Sequence, residues 1–265
     1  MSKKVAFQGE PGAFSDDAAR QLVPDAITRG YGTFDGAARA AQTGETDFAL
    51  LPVENSISGA VPRVYDLLWD DAQLQIVDEI VYRVVQNLIG LPDASIDGLH
   101  EVRSHPVALE QCRAFLSKHP HMRPVIVADT AGAVREITEL EDPRVGAIAS
   151  RLAAKRYGAV VLAEAVQDVP ENFTRFFLLK RDAEPADSPT RACVALSLAH
   201  KPGSLRDALS RFADANLNLR TLVSRPSPDE PFTYRFYCEV EPIERDALTR
   251  VLGEIDGSVR VLGIY

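Results

Sequence analysis

The sequence predicts an α/β protein with two lobes, followed by a ferredoxin-like βαββαβ unit. Three observations carry this expectation. Short apolar runs alternate with helix-periodic segments over residues 5–180, as in repeated βα units with a mostly parallel sheet. The chain builds one such series, then a second, and then returns, which would leave a cleft between two lobes. After a polar, proline-bearing linker at 181–190, the last residues read β-α-β-β-α-β, the split βαβ order.

The elements follow in order. Residues 5–8 read as a strand, and Gly9-Glu10-Pro11-Gly12 turns into a helix that Ser15 would cap and that runs to residue 22. A strand at 27–31, a helix at 33–41 and a buried strand at 48–53 come next. A helix over 59–69 places Val61, Val64, Tyr65 and Leu68 on one face, with Pro62 in its first turn. The Val- and Ile-rich stretch 74–91 predicts one or two extended strands crossing between lobes. Ser104-His105-Pro106 would then cap a helix running to Lys118. Strands at 125–128, 145–149, 160–163 and 174–180 alternate with helices at 130–140 and 150–157, the latter stopped by Gly158. Beyond the linker, strands at 193–199, 219–224, 232–240 and 259–264 frame helices at 204–215 and 245–255. These boundaries divide the chain into a domain over 1–181, whose second lobe covers roughly 78–160, and a domain over 191–265.

Composition narrows the function. The 265 residues suffice for two modest domains with proper cores. A net charge of −9 argues against a nucleic-acid binder. An anionic small ligand would need local arginine, backbone N–H groups or helix N-termini. Cys112, Cys193 and Cys238 form no CxxC pair and no metal-ligand spacing, so no metal is expected and reduced thiols in a cytoplasm are. The apolar stretch after Met-Ser-Lys-Lys is too short for a signal peptide, and no run approaches the ~18 residues of a membrane span.

Polar groups that end apolar strands are the candidate site, because open α/β sheets present ligands there. Phe48-Ala49-Leu50-Leu51 leads to Glu54-Asn55-Ser56, more polar groups than one helix cap requires. Asn172-Phe173-Thr174-Arg175-Phe176 is the sharpest signal. Arg175 can clasp a carboxylate with two hydrogen bonds, Thr174 can donate one beside it, and Phe173 and Phe176 would keep the pocket dry. Ser104 and Gln111 are seven residues apart and can share a helix face, although a cap serine and a solvated glutamine explain them equally well. Gly12 could let a ligand approach the backbone. In Asp129-Thr130-Ala131-Gly132, capping is the plainer reading.

Five motifs in order resemble the monofunctional prephenate dehydratases: GEPGAFS at 9–15, PVENS at 52–56, SHPVALEQC at 104–112, DTAGAV at 129–134 and NFTRF at 172–176. The C-terminal unit resembles the ACT regulatory domain of that family. The resemblance implies a two-lobed, type II periplasmic-binding-protein-like catalytic domain and decarboxylating dehydration of prephenate to phenylpyruvate. It implies no cofactor and no metal. Thr174, Arg175, Asn55, Glu54, Ser104 and Gln111 would be catalytic, and Ser56, Phe176, Thr130 and Gly12 would bind substrate. It further implies phenylalanine as allosteric effector at Gly203, Ser204, Leu205, Ser224, Arg225 and Pro226, and a homodimer or homotetramer. The sequence departs from the family at three places, one of them Gly203-Ser204-Leu205-Arg206 where Gly-Ala-Leu-Val is usual. Gln86-Asn87 lacks the histidine often found there, and Val223 replaces the usual glutamate before Ser224-Arg225-Pro226. The alternatives are arogenate dehydratase, which shares these motifs, a non-catalytic two-lobe solute sensor, and a regulatory subunit without activity.

Overall fold

The computed structural model describes residues 2–71, 73–228 and 230–265. The chain forms two compact units. One holds the residues up to Gly59 together with Ile80–Phe176, and the other holds Ala60–Glu79 with Phe177–Tyr265.

Chain order in the first part is β1 (Lys4–Gln8), α1 (Phe14–Leu22), β2 (Ile27–Tyr31), α2 (Phe34–Gln42), β3 (Phe48–Asn55), β4 (Gly59–Ala60), α3 (Pro62–Asp70) and β5 (Leu74–Arg83). The chain continues through β6 (Asn87–Gly90), a 3-10 turn at Ile96–Gly98, β7 (Glu101–Ser104), α4 (Pro106–Gln111), α5 (Arg113–Lys118), β8 (Arg123–Ile126), α6 (Thr130–Leu140), β9 (Val145–Ala149), α7 (Arg151–Tyr157), β10 (Val160–Ala163) and β11 (Phe173–Arg181). The last part is β12 (Ala192–Leu198), α8 (Ser204–Asp214), β13 (Leu219–Pro226), β14 (Tyr234–Val240), α9 (Arg245–Gly253) and β15 (Gly257–Ile264).

Two α/β lobes and a ferredoxin-like βαββαβ unit result. The first sheet has the order β2-β1-β3-β11-β5, with β4 beside β3. Its strand β1 runs parallel to both β2 and β3. In β3, Ala49, Leu50, Leu51 and Val53 are fully buried, as a central strand covered on both faces requires. The second sheet has the order β10-β6-β9-β7-β8. Here β6 runs against β9 and β10, while β7 is parallel to β8 and β9. The expected parallel sheet therefore admits one reversed strand, the one by which the chain enters this lobe. Ile89, Val134, Ile137 and a set of alanines on β9, α6 and α7 form its core. The third sheet, β13-β14-β12-β15, is antiparallel throughout. Its apolar face packs on Ala208 and Phe212 of α8 and on Leu248 and Val251 of α9.

Three local expectations change. The helix starting at Phe14 has Ala13 at its N-cap with no side-chain cap, so Ser15 does not cap it; Asp16 in its first turn reaches back to accept from Gly12 N. Residues 59–60 pair with β3, so α3 begins only at Pro62. The single helix expected up to Lys118 breaks at Cys112, whose ψ is 23°. The cause is external. Asp168 N donates to the Gln111 carbonyl at 2.7 Å, and Asp168 Oδ1 accepts from Ala114 N at 2.9 Å. A neighbouring loop thus ends one helix and caps the next.

Candidate functional site

Strands β3 and β11 each deliver a polar pair at their ends: Glu54 and Asn55 from one, Thr174 and Arg175 from the other. Adjacent residues on a strand project to opposite faces. The partners follow this rule. Glu54 Oε2 accepts from Arg175 Nη2 at 3.1 Å, and Asn55 Nδ2 donates to Thr174 Oγ1 at 3.0 Å. The structure therefore corrects the expectation that Thr174 and Arg175 work side by side. The Arg175 side chain is 6% exposed and bound to a Glu54 that is 45% exposed, on the face away from Thr174.

The Thr174 face is a cluster of carboxamides. Asn55 Oδ1 accepts from Ile57 N at 3.0 Å and Ser58 N at 2.9 Å. Its Nδ2 reaches Asn172 Oδ1 at 2.7 Å and Phe173 O at 3.1 Å besides the threonine. Asn172 is wholly buried and shares this face because it precedes Thr174 by two residues. Its Nδ2 donates to Gln111 Oε1 at 3.0 Å. Gln86, also buried, donates from Nε2 to the same oxygen at 3.3 Å. Around Asn55, Ser56 N donates to Phe173 O at 2.8 Å, and Phe173 N donates to Ser56 Oγ at 3.0 Å. Ser56 thus zips the two strand ends together.

Beside this cluster lies a pocket of about 490 Å³ lined by Ile57, Ser58, Val107, Glu110, Gln111, Gln167, Asp168 and Val169. Ile57, Val107 and Val169 expose apolar surface there, between 42% and 45% of each residue. Glu110 and Asp168 make one side acidic.

The remaining expected residues stand elsewhere. Ser104 is fully buried and donates to Ile148 O at 2.6 Å, which ties β7 to β9. Gly12 uses both backbone polar atoms internally: its N–H donates to Asp16, and its carbonyl accepts from Ser150 Oγ at 2.6 Å. A side chain at Gly12 would meet Ala153 Cα at 2.8 Å, and its φ is +95°, so packing alone demands glycine. Thr130 opens α6, but Asp129 is the cap, accepting from Gly132 N at 2.7 Å. Phe176 is 2% exposed on β11. Among the described residues, no group of three or more His, Cys, Asp and Glu could hold a metal. In the sequence Asn172 stands only as the first residue of its motif, and Gln86 only as part of a pair that lacks the family's frequent histidine. The two-residue spacing from Thr174 would have found the first. A glutamine interrupting the Val- and Ile-rich run 74–91 would have found the second.

His105 supplies the α4 cap through Nδ1, which accepts from Val107 N at 3.3 Å. Burial lowers its pKa below 6.5, opposed by Asp129. A depressed histidine pKa favours the neutral ring in the folded state. Its stabilisation is present above pH 6.5 and fades as pH falls through the folded value. Chemical denaturation at pH 7.5 and 5.5 should show a larger acid loss for wild type than for His105→Asn, which keeps a cap acceptor but cannot titrate.

In the C-terminal unit, Gly203 caps α8 with φ +91°, Ser204 Oγ donates to Lys201 O at 3.1 Å, and Leu205 is half-buried. Ser224 and Pro226 are exposed on β13. Arg225 grips Asp66 of α3 with both prongs, Nε at 3.1 Å and Nη2 at 2.7 Å.

Two α/β lobes with polar strand ends beside a pocket, followed by a ferredoxin-like unit, define a class of small-molecule-binding protein. The sequence profile of prephenate dehydratase matches residues 5–184. The arogenate dehydratase/prephenate dehydratase 1, chloroplastic, of Arabidopsis thaliana is 36% identical over 282 residues, which cover 99% of this chain and 71% of that protein. A bifunctional N-acyl-homoserine lactone acylase/prephenate dehydratase of Komagataeibacter europaeus is 34% identical over 270 residues, 98% of this chain and 95% of that one. The structure of a prephenate dehydratase in complex with L-Phe from Arthrobacter aurescens superposes with a TM-score of 0.89 at 28% identity, covering 98% of this chain and 89% of that one. The chain belongs to the prephenate dehydratase family.

Proposed function

We propose that this protein is a carbon–oxygen lyase that converts prephenate to phenylpyruvate, carbon dioxide and water, and that phenylalanine controls it. One observation carries the site assignment: the orientation of Asn55. Two backbone N–H groups fix its oxygen, so its nitrogen must be what faces Thr174. Thr174 Oγ1 is then an acceptor toward Asn55, and its own hydrogen is left to donate to the departing ring hydroxyl. A threonine is too weak an acid to surrender that proton outright, so the hydroxyl stabilises the leaving oxygen while solvent supplies the proton. Loss of the ring carboxylate as carbon dioxide provides the electron pair, and aromatisation drives both departures. The apolar rim of Ile57, Val107 and Val169 would leave that carboxylate poorly solvated. Arg175, paired with Glu54, holds the ends of β3 and β11 and lends positive charge behind the site.

A second reading has its own observation. Glu110 and Asp168 border the pocket and would suit the ammonium of arogenate, which prephenate lacks. Incubating the purified protein with each substrate and comparing kcat/KM decides between them. Phenylpyruvate absorbance growing from prephenate is the expected result. Turnover of arogenate alone would move the assignment to arogenate dehydratase, and turnover of neither would leave a binding protein. Phenylalanine is assigned to the Gly203 and Ser224–Pro226 region between paired copies, in a dimer or tetramer in the cytoplasm. Calorimetry with phenylalanine and light scattering test these points.

A further inference from the structure

We propose that Gln86 is a positioning residue for catalysis, the far end of a buried carboxamide relay that orients Gln111 toward the pocket. The proposal rests on the dehydratase reading of the same site. Its logic is one of forced orientation. A carboxamide has a donor end and an acceptor end, and flipping one exchanges them. Asn55 cannot flip, because Ile57 N and Ser58 N both point at its oxygen. Its nitrogen therefore faces Asn172, which must answer with Oδ1. The nitrogen of Asn172 then faces Gln111, which must answer with Oε1. Gln86 adds a second donor to that oxygen. With Oε1 held inward by two donors, Gln111 has its Nε2 left as a donor for a substrate in the pocket it lines. Every orientation in the relay is thus set by the backbone turn after Asn55.

Gln86 itself is anchored to do this. Its N–H donates to Gln167 Oε1 at 3.0 Å, and its carbonyl accepts from Val166 N at 2.9 Å. The side chain is fixed at one end only. Gln86 Oε1 is buried and has no hydrogen-bond partner among the described residues. Burying an amide oxygen unpaired is unfavourable, and a leucine of similar size would avoid it. A glutamine at this position therefore answers to the donor it supplies, and the recipient of that donor is Gln111.

Three variants test the assignment. Gln86→Leu removes the donor. Gln86→Glu replaces it with an acceptor that faces Gln111 Oε1 and should make Gln111 turn its nitrogen inward. Gln86→His can return an N–H. The expected result is about a tenfold fall in kcat/KM for the first, a larger one for the second, and partial recovery for the third. Thermal midpoints should stay within a few degrees of wild type for Gln86→Leu and Gln86→His, and fall further for Gln86→Glu, which buries a carboxyl against an acceptor. In a Gln111→Leu background, the Gln86 substitutions should add nothing, because residues acting through one another are non-additive. A second readout does not need turnover. In ¹⁵N-labelled protein, Gln86→Glu should displace the side-chain NH₂ signals of Gln111 and Asn172 and leave distant carboxamides in place. Unchanged Gln111 signals would overturn the relay, as would equal kcat/KM for the Glu and His variants. Wild-type protein inactive on both substrates would overturn the dehydratase reading instead, and the spectra would still judge the relay.

Discussion

Thr174→Val should fold normally and lose a hundredfold or more in kcat. Valine nearly matches threonine in shape, so the pocket keeps its form. Asn55 Nδ2 loses one of three acceptors and retains Asn172 Oδ1 and Phe173 O, both within 3.1 Å. The stability lost is therefore about 1 kcal/mol or less. The hydroxyl that would face the leaving oxygen is gone, and deleting one such donor typically slows turnover by about 10²–10³. KM should change little, since that interaction strengthens only as the bond breaks. Thr174→Ser, which restores the hydroxyl, should recover most of the rate. Steady-state kinetics with thermal unfolding checks both parts. A valine variant as fast as wild type would remove Thr174 from the chemistry.

Asn55→Asp is expected to be the most damaging near-isosteric change. It alters one atom of the side chain, yet the new oxygen faces three acceptors: Asn172 Oδ1, Phe173 O and Thr174 Oγ1. Thr174 would turn its hydrogen toward the carboxylate, withdrawing it from the substrate. A loss of at least about a hundredfold in kcat should accompany about 2–3 kcal/mol of destabilisation, the usual result of leaving buried groups mispaired. Steady-state kinetics and thermal unfolding of the variant check both figures, and a variant with wild-type kcat would remove Asn55 from the site.

Much of this architecture is legible in the sequence, for identifiable reasons. Strand β3 announces itself because a run of buried residues ends abruptly in Glu54, Asn55 and Ser56, and the βαββαβ unit because its strand and helix periods alternate cleanly. The break at Cys112 is not legible, since its cause is Asp168, distant in sequence. The motif at 172–176 marks the start of β11, but composition does not say which side chains share a face. Strand pairing separates Arg175 with Glu54 from Thr174 with Asn55. Ser104 and Gly12 attract attention as polar or flexible groups near helix starts. Ser104 answers to Ile148 and Gly12 to Ser150 and Ala153, partners far along the chain that local sequence does not encode.

The chain of side-chain amides running from Asn55 to Gln86 also bears on acidity. Carboxamides neither gain nor lose protons between mildly acid and mildly alkaline conditions, unlike the histidines and carboxylates on which many enzymes rely for alignment. An assembly of this kind should hold Thr174 equally well across that whole range. Any bell-shaped rate profile would then report the ionisation of the substrate or of the pocket's rim, and leave the inner scaffold unmoved.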